Sequence, residues 1–359
     1  MINKELKFPY YAKATLIIVG LYFLINILYN LKSIIVPLIF AMIIAIVIKP
    51  IVDFFVRHKI NRVVAIFVAI FVVFLLIAAI FLLLFSQLSK FDESWPNLVE
   101  RSTDIFTQMI TWVSSYFDVN PENIHKWILK TESDLLKTSN ALIGATLLSV
   151  GSMLMVIILI PVYVFLFLYY KPLLLEFIYR LFGPKHKSKL SEIAIQTESV
   201  VQHYLIGLLI EAVIVATLNS IGLLVLGIEF AIMLGIIGAM LNVIPFLGGI
   251  VAVALPMLVA LATKSSPIYA LYVMAVYYFI QIIDNHYIVP MIVASKVKIN
   301  ALISIVIIIA GNALWGISGM FLSLPLLAIV KIIFDHIEPL KPWGFLLGNT
   351  LENENELNT

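Results

Sequence analysis

An all-α, polytopic membrane protein of about eight membrane segments, two of them broken or re-entrant, is the fold this sequence predicts. Three observations predict it. Of 359 residues, 62% are hydrophobic and only 12% charged, far from the balance of a soluble globular chain. The apolar residues gather into runs of about the 20 residues that a helical span needs, separated by polar loops. One such run, Phe230 to Pro256, is interrupted near its middle by Asn242, Pro245, Gly248 and Gly249. Hydrocarbon offers no water to freed backbone groups, so a break at that depth survives only where protein buries it or a wet cavity meets it. The net charge of +2 is small and spread around the spans, so it reports topology rather than nucleic-acid binding. The absence of cysteine excludes a disulfide, a thiolate nucleophile and a cysteine metal site, without identifying the compartment.

The elements follow in order. Lys4, Lys7 and Lys13 precede an apolar run with no small-residue cleavage site, so Ala14 to Asn30 reads as an uncleaved first span. Asn30 to Ser33 separate it from a second, Ile34 to Ile48, as an antiparallel helical hairpin. A basic loop with Arg57, His58, Lys59 and Arg62 leads to a third span, Val63 to Phe85. The segment 86–140 has eight acidic against five basic residues, a net charge of −3, and is expected outside as short helices near Pro96 to Phe117 and Pro121 to Lys137. Asn120-Pro121-Glu122 supplies an N-cap, a first-turn proline and an acid for the latter. Ala141 to Tyr170 brings the chain back to the linker 171–202. Its Lys171, Arg180, Lys185, Lys187 and Lys189 place it, with the N-terminus, in the cytoplasm. Leu173, Leu174, Phe177, Ile178, Leu181 and Phe182 share one face of an interfacial helix ending at Gly183-Pro184. A second amphipathic helix, Ser188 to Gln202, leads into the span from His203 to Leu226.

The last third contains two apolar stretches, Phe230 to Ala262 and Ala301 to Ile333, either side of an ordinary segment from Ile268 to Ile283. As single helices each would reach roughly 48 Å against a hydrocarbon core of about 30 Å. The first is interrupted around Pro245 to Gly249, the second around Gly311-Asn312 and Gly316 to Gly319. Paired interruptions of this kind point to a transporter site. As kinked spans the stretches put Lys264 inside and Lys296 and Lys298 outside; as re-entrant hairpins they reverse this. The positive-inside rule favours hairpins by two charges to one.

Ionisable groups inside spans are costly, so each is a candidate for function. Glu211 lies in a strongly apolar helix and suits a proton or cation carboxylate; the structural alternative is a carboxyl bonded to a neighbouring helix. Asn219 shares its face at two-turn spacing and serves a ligand or joins helices. Gln281, Asp284 and Asn285 cluster at a helix end, where a carboxylate with amide oxygens suits a monovalent cation or a polyhydroxylated solute, or where the end is merely solvated. His286, in an interfacial loop, relays protons or is simply wet. Asn242 and Asn312 stand beside the two breaks and present amides to a solute or cap a broken helix. Pro245, Gly248, Gly249, Pro290, Gly311, Gly316 and Gly319 act through the backbone, as breaks or gates, or as close helix contacts.

The order of features resembles the autoinducer-2 exporter family of bacterial permeases over nearly the whole chain. Three stretches carry the resemblance: Pro37-Leu38-Ile39-Phe40-Ala41 with Lys49-Pro50; Tyr204-Leu205-Ile206-Gly207, Leu226-Gly227-Ile228 and Leu241 to Gly249; then Gln281 to Asn285, Val289-Pro290 and Leu314 to Gly319 through Pro325. Where the family commonly shows a His-Pro pair, this chain has Asn300-Ala301, so a role of that histidine does not carry over. The resemblance implies a multi-pass transporter, with members linked to export of a small polar signal molecule and others to exchange of sodium or lithium for protons.

Other classes fit less well. Gly316-Ile317-Ser318-Gly319 reproduces the pattern around a rhomboid nucleophile, but His286 and His336 lie at span ends rather than at serine depth. No metalloprotease, aspartyl or Walker motif occurs, so no catalytic residue, metal or cofactor is expected. A membrane scaffold using the acidic segment and the linker is the alternative function; it has no evident need for two broken segments. The expectation is a secondary transporter of the cytoplasmic membrane with both termini inside. Its partners would be the lipid bilayer and a small polar solute or monovalent cation, with no nucleic acid and with homo-oligomerisation open. The linear division is 1–85, 86–140, a core 141–335 and a tail 336–359.

Overall fold

The computed structural model describes residues 9–117, 158–243, 248–264, 266–293 and 299–348. Among these residues every regular element is helical, and seven helices are long and apolar enough to cross a membrane. Their contacts sort the chain into two units that interleave in sequence instead of following the linear division: 1–46, 159–201 and 299–359 form the first, 47–158 and 202–298 the second.

In the first unit, α1 (Tyr10–Asn30) and α2 (Lys32–Arg57, in this unit to Ile46) are joined by the single residue Leu31, where four loop residues were expected. The joint leaves the carbonyl of Leu28 without a helical partner, and Trp315 Nε1 donates to it at 3.0 Å. This ties α1 to α9 (Ala301–Trp315), which Asn300 caps by accepting from the Leu302 amide. Its partner α10 (Ile317–His336) folds straight back on α9. The register proves the fold-back: Gly311 faces Gly319 and Ser323 Oγ donates to the Ile307 carbonyl at 2.9 Å, so opposed positions are symmetric about Trp315, next to Gly316. Gly316 alone makes the turn, at φ 64 and ψ −144, a conformation that favours glycine. Gly311 and Gly319, expected as part of the break, lie inside the helices. A side chain on either would meet the other's backbone, so they serve close packing.

Also in this unit, α4 (Ile158–Phe182) and the start of α5 (Lys187–Val225) are linked by the Lys171–Glu198 ion pair. The expected interfacial helix is the last part of α4, continuous with the span, and ends before Gly183 as anticipated. Its apolar face, including Leu173, Phe177 and Leu181, is exposed. The second amphipathic helix is likewise the beginning of α5; nothing between 187 and 225 breaks it. The short α11 (Lys341–Leu347) closes the unit, its Leu347 carbonyl accepting from the Asn300 amide at 2.9 Å.

The second unit contains α3 (Arg62–Phe117), the rest of α5, α6 (Ala231–Asn242), α7 (Gly248–Thr263) and α8 (Ile268–Ile283), which runs into a wider π-helical segment, Asp284–Val293. The third span, expected at Val63 to Phe85, is Arg62–Gln87, but the helix does not end with it. Helix continues through Pro96 for 56 residues, roughly 84 Å. The shift to polar residues there marks a change of surroundings only. Beyond the apolar part, α3 packs on α7: Arg101 Nη1 donates to the Ala262 carbonyl at 2.9 Å, a cation at a helix C-terminus. Phe91 meets Phe230 edge-on at 5.3 Å. The expected helix from Pro121 to Lys137 lies outside the described residues.

The stretch 230–262 is also a helical hairpin. α6 and α7 pack together across a five-residue connection. Asn242 and Gly249 adjoin at one end, and at the other the Lys264 ammonium comes within 3.0 Å of a side chain placed on Gly227. At 12 and 16 residues the arms reach about 18 and 24 Å, each too short to cross alone. Met233, Leu234, Val259, Ala260 and Val273 bury the hairpin against α8.

Candidate functional site

The site is built where α5, α6 and α8 meet in the second unit. Along α5 the buried positions Tyr204, Leu208, Glu211, Val215, Asn219 and Leu223 recur every three or four residues, the stripe of one helix face. Glu211 and Asn219 therefore sit in the interior, 5% and 2% exposed, as their two-turn spacing suggested. α6 supplies the matching surface: Ala231, Gly235, Gly238 and Asn242 follow the same period. Gly235 leaves room for Ser220, whose backbone nitrogen would stand 2.6 Å from any side chain at 235, so α5 and α6 approach backbone to backbone.

Asp284 is the centre of the polar cluster. It is 2% exposed and stands where the α-helical winding of α8 gives way to π-helix, a distortion frequent at functional sites. Asn242 Nδ2, from the last residue of α6, donates to Asp284 Oδ2 at 2.8 Å. Gln281 Nε2 reaches the same oxygen at 3.5 Å and Asn285 Oδ1 at 3.3 Å. Gly249 opens the space beside them, since a side chain there would stand 2.7 Å from Gln281 Oε1 and 3.8 Å from Asn242 Oδ1. Asp284 Oδ1 is buried with no hydrogen-bond partner. Among the described residues neither Glu211 nor Asp284 forms an ion pair with a lysine, arginine or histidine. Nor do these residues include a group of three metal-ligating side chains. Two acids with amides around them, and no basic group to neutralise them, can take up a proton, a monovalent cation or the cationic end of a solute.

Of the residues expected at the site, Asn242, Gln281, Asp284 and Gly249 come together, while Asn219 reaches α6 at Gly238 and Glu211 is buried on the same face of α5. Asn285 adjoins them from an exposed position. Gly248 begins α7, Pro245 falls outside the described residues, and Pro290 lies exposed within the π-helical segment. Asn312 is exposed on α9 in the first unit, and Gly311, Gly316 and Gly319 shape the hairpin there. His286 is exposed, its ring bonded to the Ile282 carbonyl.

Two contributors are not evident from sequence. Tyr277, one turn before Gln281, is 7% exposed, and its hydroxyl would stand 3.1 Å from a side chain on Gly238; Asn219 Nδ2 comes to 3.3 Å of the same point. Tyrosine is common in this segment, with Tyr269, Tyr272 and Tyr278 beside it, so only burial singles it out. Gly235 carries a weak signal in its spacing, since Ala231, Gly235 and Ala239 stand four residues apart as small residues do at close helix contacts in membranes.

Known transport proteins are similar to this chain in sequence. YueF of Bacillus subtilis, assigned to transport by name, is 25% identical over 231 residues, 64% of this chain and 62% of its own length, so the match spans less than two thirds of that relative. YrrI of the same organism, similarly assigned, is 23% identical over 71% of each chain. The AI-2 transport protein TqsA of Escherichia coli is 30% identical over 38% of this chain and 39% of its own. The model of the AI-2E family transporters matches residues 15–338. With a helical architecture and a match that leaves out only the two ends of the chain, this protein belongs to the AI-2E transporter family.

Proposed function

We propose that the chain is a secondary transporter that exports a small polar solute or a monovalent cation, coupled to proton or sodium movement. One observation carries the reading: two carboxyl groups of the second unit, Glu211 on α5 and Asp284 beyond α8, are buried with no basic partner among the described residues. Two such charges cannot both persist unpaired in an interior, so the pair exchanges a proton or cation as its surroundings change. Asn242 and Gln281 supply neutral groups, and Gly249 keeps the tip of the α6–α7 hairpin close to them. The hairpin arms support a re-entrant placement with Lys264 outside, both termini in the cytoplasm and the protein in the cytoplasmic membrane. TqsA is named for AI-2 transport, which makes a hydroxylated signal molecule one solute to test.

The test is proton flux in inverted membrane vesicles carrying the chain, with a pH-sensitive dye followed as sodium, lithium or potassium is added. Cation-dependent collapse of the gradient that disappears in Asp284→Asn and in Glu211→Gln supports antiport at this site. Collapse that persists in both variants sinks the assignment of the site, and no response above empty vesicles removes inorganic cations as substrates.

A further inference from the structure

Polar groups continue beyond the carboxyl pair. Among the described residues, four buried side-chain atoms have no hydrogen-bond partner: Asp284 Oδ1, Asn219 Oδ1, Ser220 Oγ and Tyr277 Oη. All four belong to the second unit, and their residues are 2 to 8% exposed. Such atoms are costly when left unpaired, so their concentration here marks a place where a ligand completes the bonding. Asn219 Nδ2 and Tyr277 Oη come from different helices and lie side by side over Gly238, within 3.3 Å of the place its missing side chain would take. That point lies one turn of α6 from Asn242, and Tyr277 lies one turn of α8 from Gln281, so it stands about 6 Å along the helices from the Asp284 cluster.

The two levels differ in chemistry. At Asp284 the groups are an acid and two amides. Over Gly238 they are an amide and a phenol, neutral groups that both donate and accept. A bare metal cation engages the first level and leaves the second unpaired. An anionic ligand is disfavoured by the two acids. We propose that the site extends by one helical turn into an uncharged subsite formed by Asn219 and Tyr277 over Gly238. The ligand that fits both levels is a small organic cation with a hydroxyl or similar neutral hydrogen-bonding group about 6 Å from its charge. This rests on the cation-binding reading of Asp284 and extends it to a substrate class. Gly238 lets the two polar side chains meet, because a methyl group there would press on both, at 3.1 Å from Tyr277 Oη and 3.3 Å from Asn219 Nδ2.

The test uses the purified full chain in detergent micelles, with thermal stability followed at constant ionic strength. Three probes are titrated: 4-aminobutan-1-ol, whose amine and hydroxyl stand roughly 6 Å apart when extended, butylamine, and butane-1,4-diol. The expected result is that the amino alcohol binds about tenfold more tightly than butylamine, the diol not measurably. Tyr277→Phe, which removes only a hydroxyl without a protein partner and so leaves folding intact, abolishes the preference while retaining butylamine binding. Gly238→Ala does the same, and Asp284→Asn loses both amines. Equal affinity for the two amines, or a preference that survives in Tyr277→Phe, overturns the subsite. Absence of amine binding alongside Asp284-dependent cation flux in vesicles overturns it too and leaves the carboxyl site standing. Amine preference without cation-dependent flux upholds the subsite and removes inorganic cations as substrates.

Discussion

Gly249→Ala separates the site from the fold. A methyl at this position would stand 2.7 Å from Gln281 Oε1 and 3.2 Å from its Cδ, where relaxed contacts lie at about 3.5 Å or more. The obstructing atoms are the far end of a flexible side chain, so Gln281 yields and the α6–α7 packing stays. Its bond to Asp284, 3.5 Å long, is already at the limit of a hydrogen bond and does not survive a further shift of about 0.5 Å. The Asn242 bond at 2.8 Å is untouched. Loss of one such bond costs about 1 kcal/mol, or about fivefold in apparent affinity for the coupling cation. The thermal midpoint of the purified protein should move by no more than about 3 °C. Cation dependence of flux in vesicles and unfolding in detergent measure the two quantities on the same variant. A fall of more than about 10 °C would show that Gly249 holds the hairpin and not the site. An unchanged cation affinity would show that Gln281 takes no part.

Two further outcomes follow from the hairpins. Gly311→Ala places a carbon 2.9 Å from the Gly319 carbonyl carbon, a backbone atom that cannot rotate away. It should cost about 3 kcal/mol and lower the thermal midpoint, whereas Gly20→Ala, with nothing within 4 Å, should not; equal midpoints would refute the register of α9 and α10. The chain has no native cysteine, so Glu229→Cys and Lys264→Cys can each be probed alone with a membrane-impermeant thiol reagent. Both should react from the same side, and reaction from opposite sides would mean that α6 and α7 are two halves of one crossing.

The sequence discloses the parts of this molecule whose physics is local. Glu211 and Asn219 share a face because eight residues is close to two helical turns, and the burial of both follows from that spacing. Gln281 and Asp284 are neighbours for the same reason. What it conceals depends on contacts between distant segments. Gly311 and Gly319 look like breaks in an apolar run, yet each is helical, and only the fold-back about Gly316 explains why neither carries a side chain. Asn242 and Asn312 hold equivalent places beside two interrupted stretches, but one donates to Asp284 while the other is exposed in a different unit. Tyr277 could not be told from its tyrosine neighbours until α6 was packed beside it. The continuation of α3 past Phe85 was hidden by a change of polarity, which alters what a helix touches and not whether it persists.

The break in the first stretch matters because of what its edges touch. Had 230–262 been one uninterrupted helix, Asn242 and Gly249 would lie two turns apart on one element and could not bracket Gln281. Folded back, the stretch brings the end of α6 and the start of α7 to the same place, with Asn242 bonded to Asp284 and Gly249 beside Gln281. The carboxyl thus depends for a hydrogen bond on the tip of a hairpin whose arms are too short to be anchored at both faces of a bilayer. A displacement of that tip by even 1 Å would stretch the 2.8 Å bond beyond the range of a hydrogen bond and leave Asp284 with the weak contact to Gln281. In a buried setting such a loss changes which partner the carboxyl requires, a proton, a cation or an amide. Movement of the hairpin and occupancy of the site are in this way two aspects of one equilibrium, and a ligand that replaces the Asn242 bond favours the displaced tip by as much as it gains from Asp284.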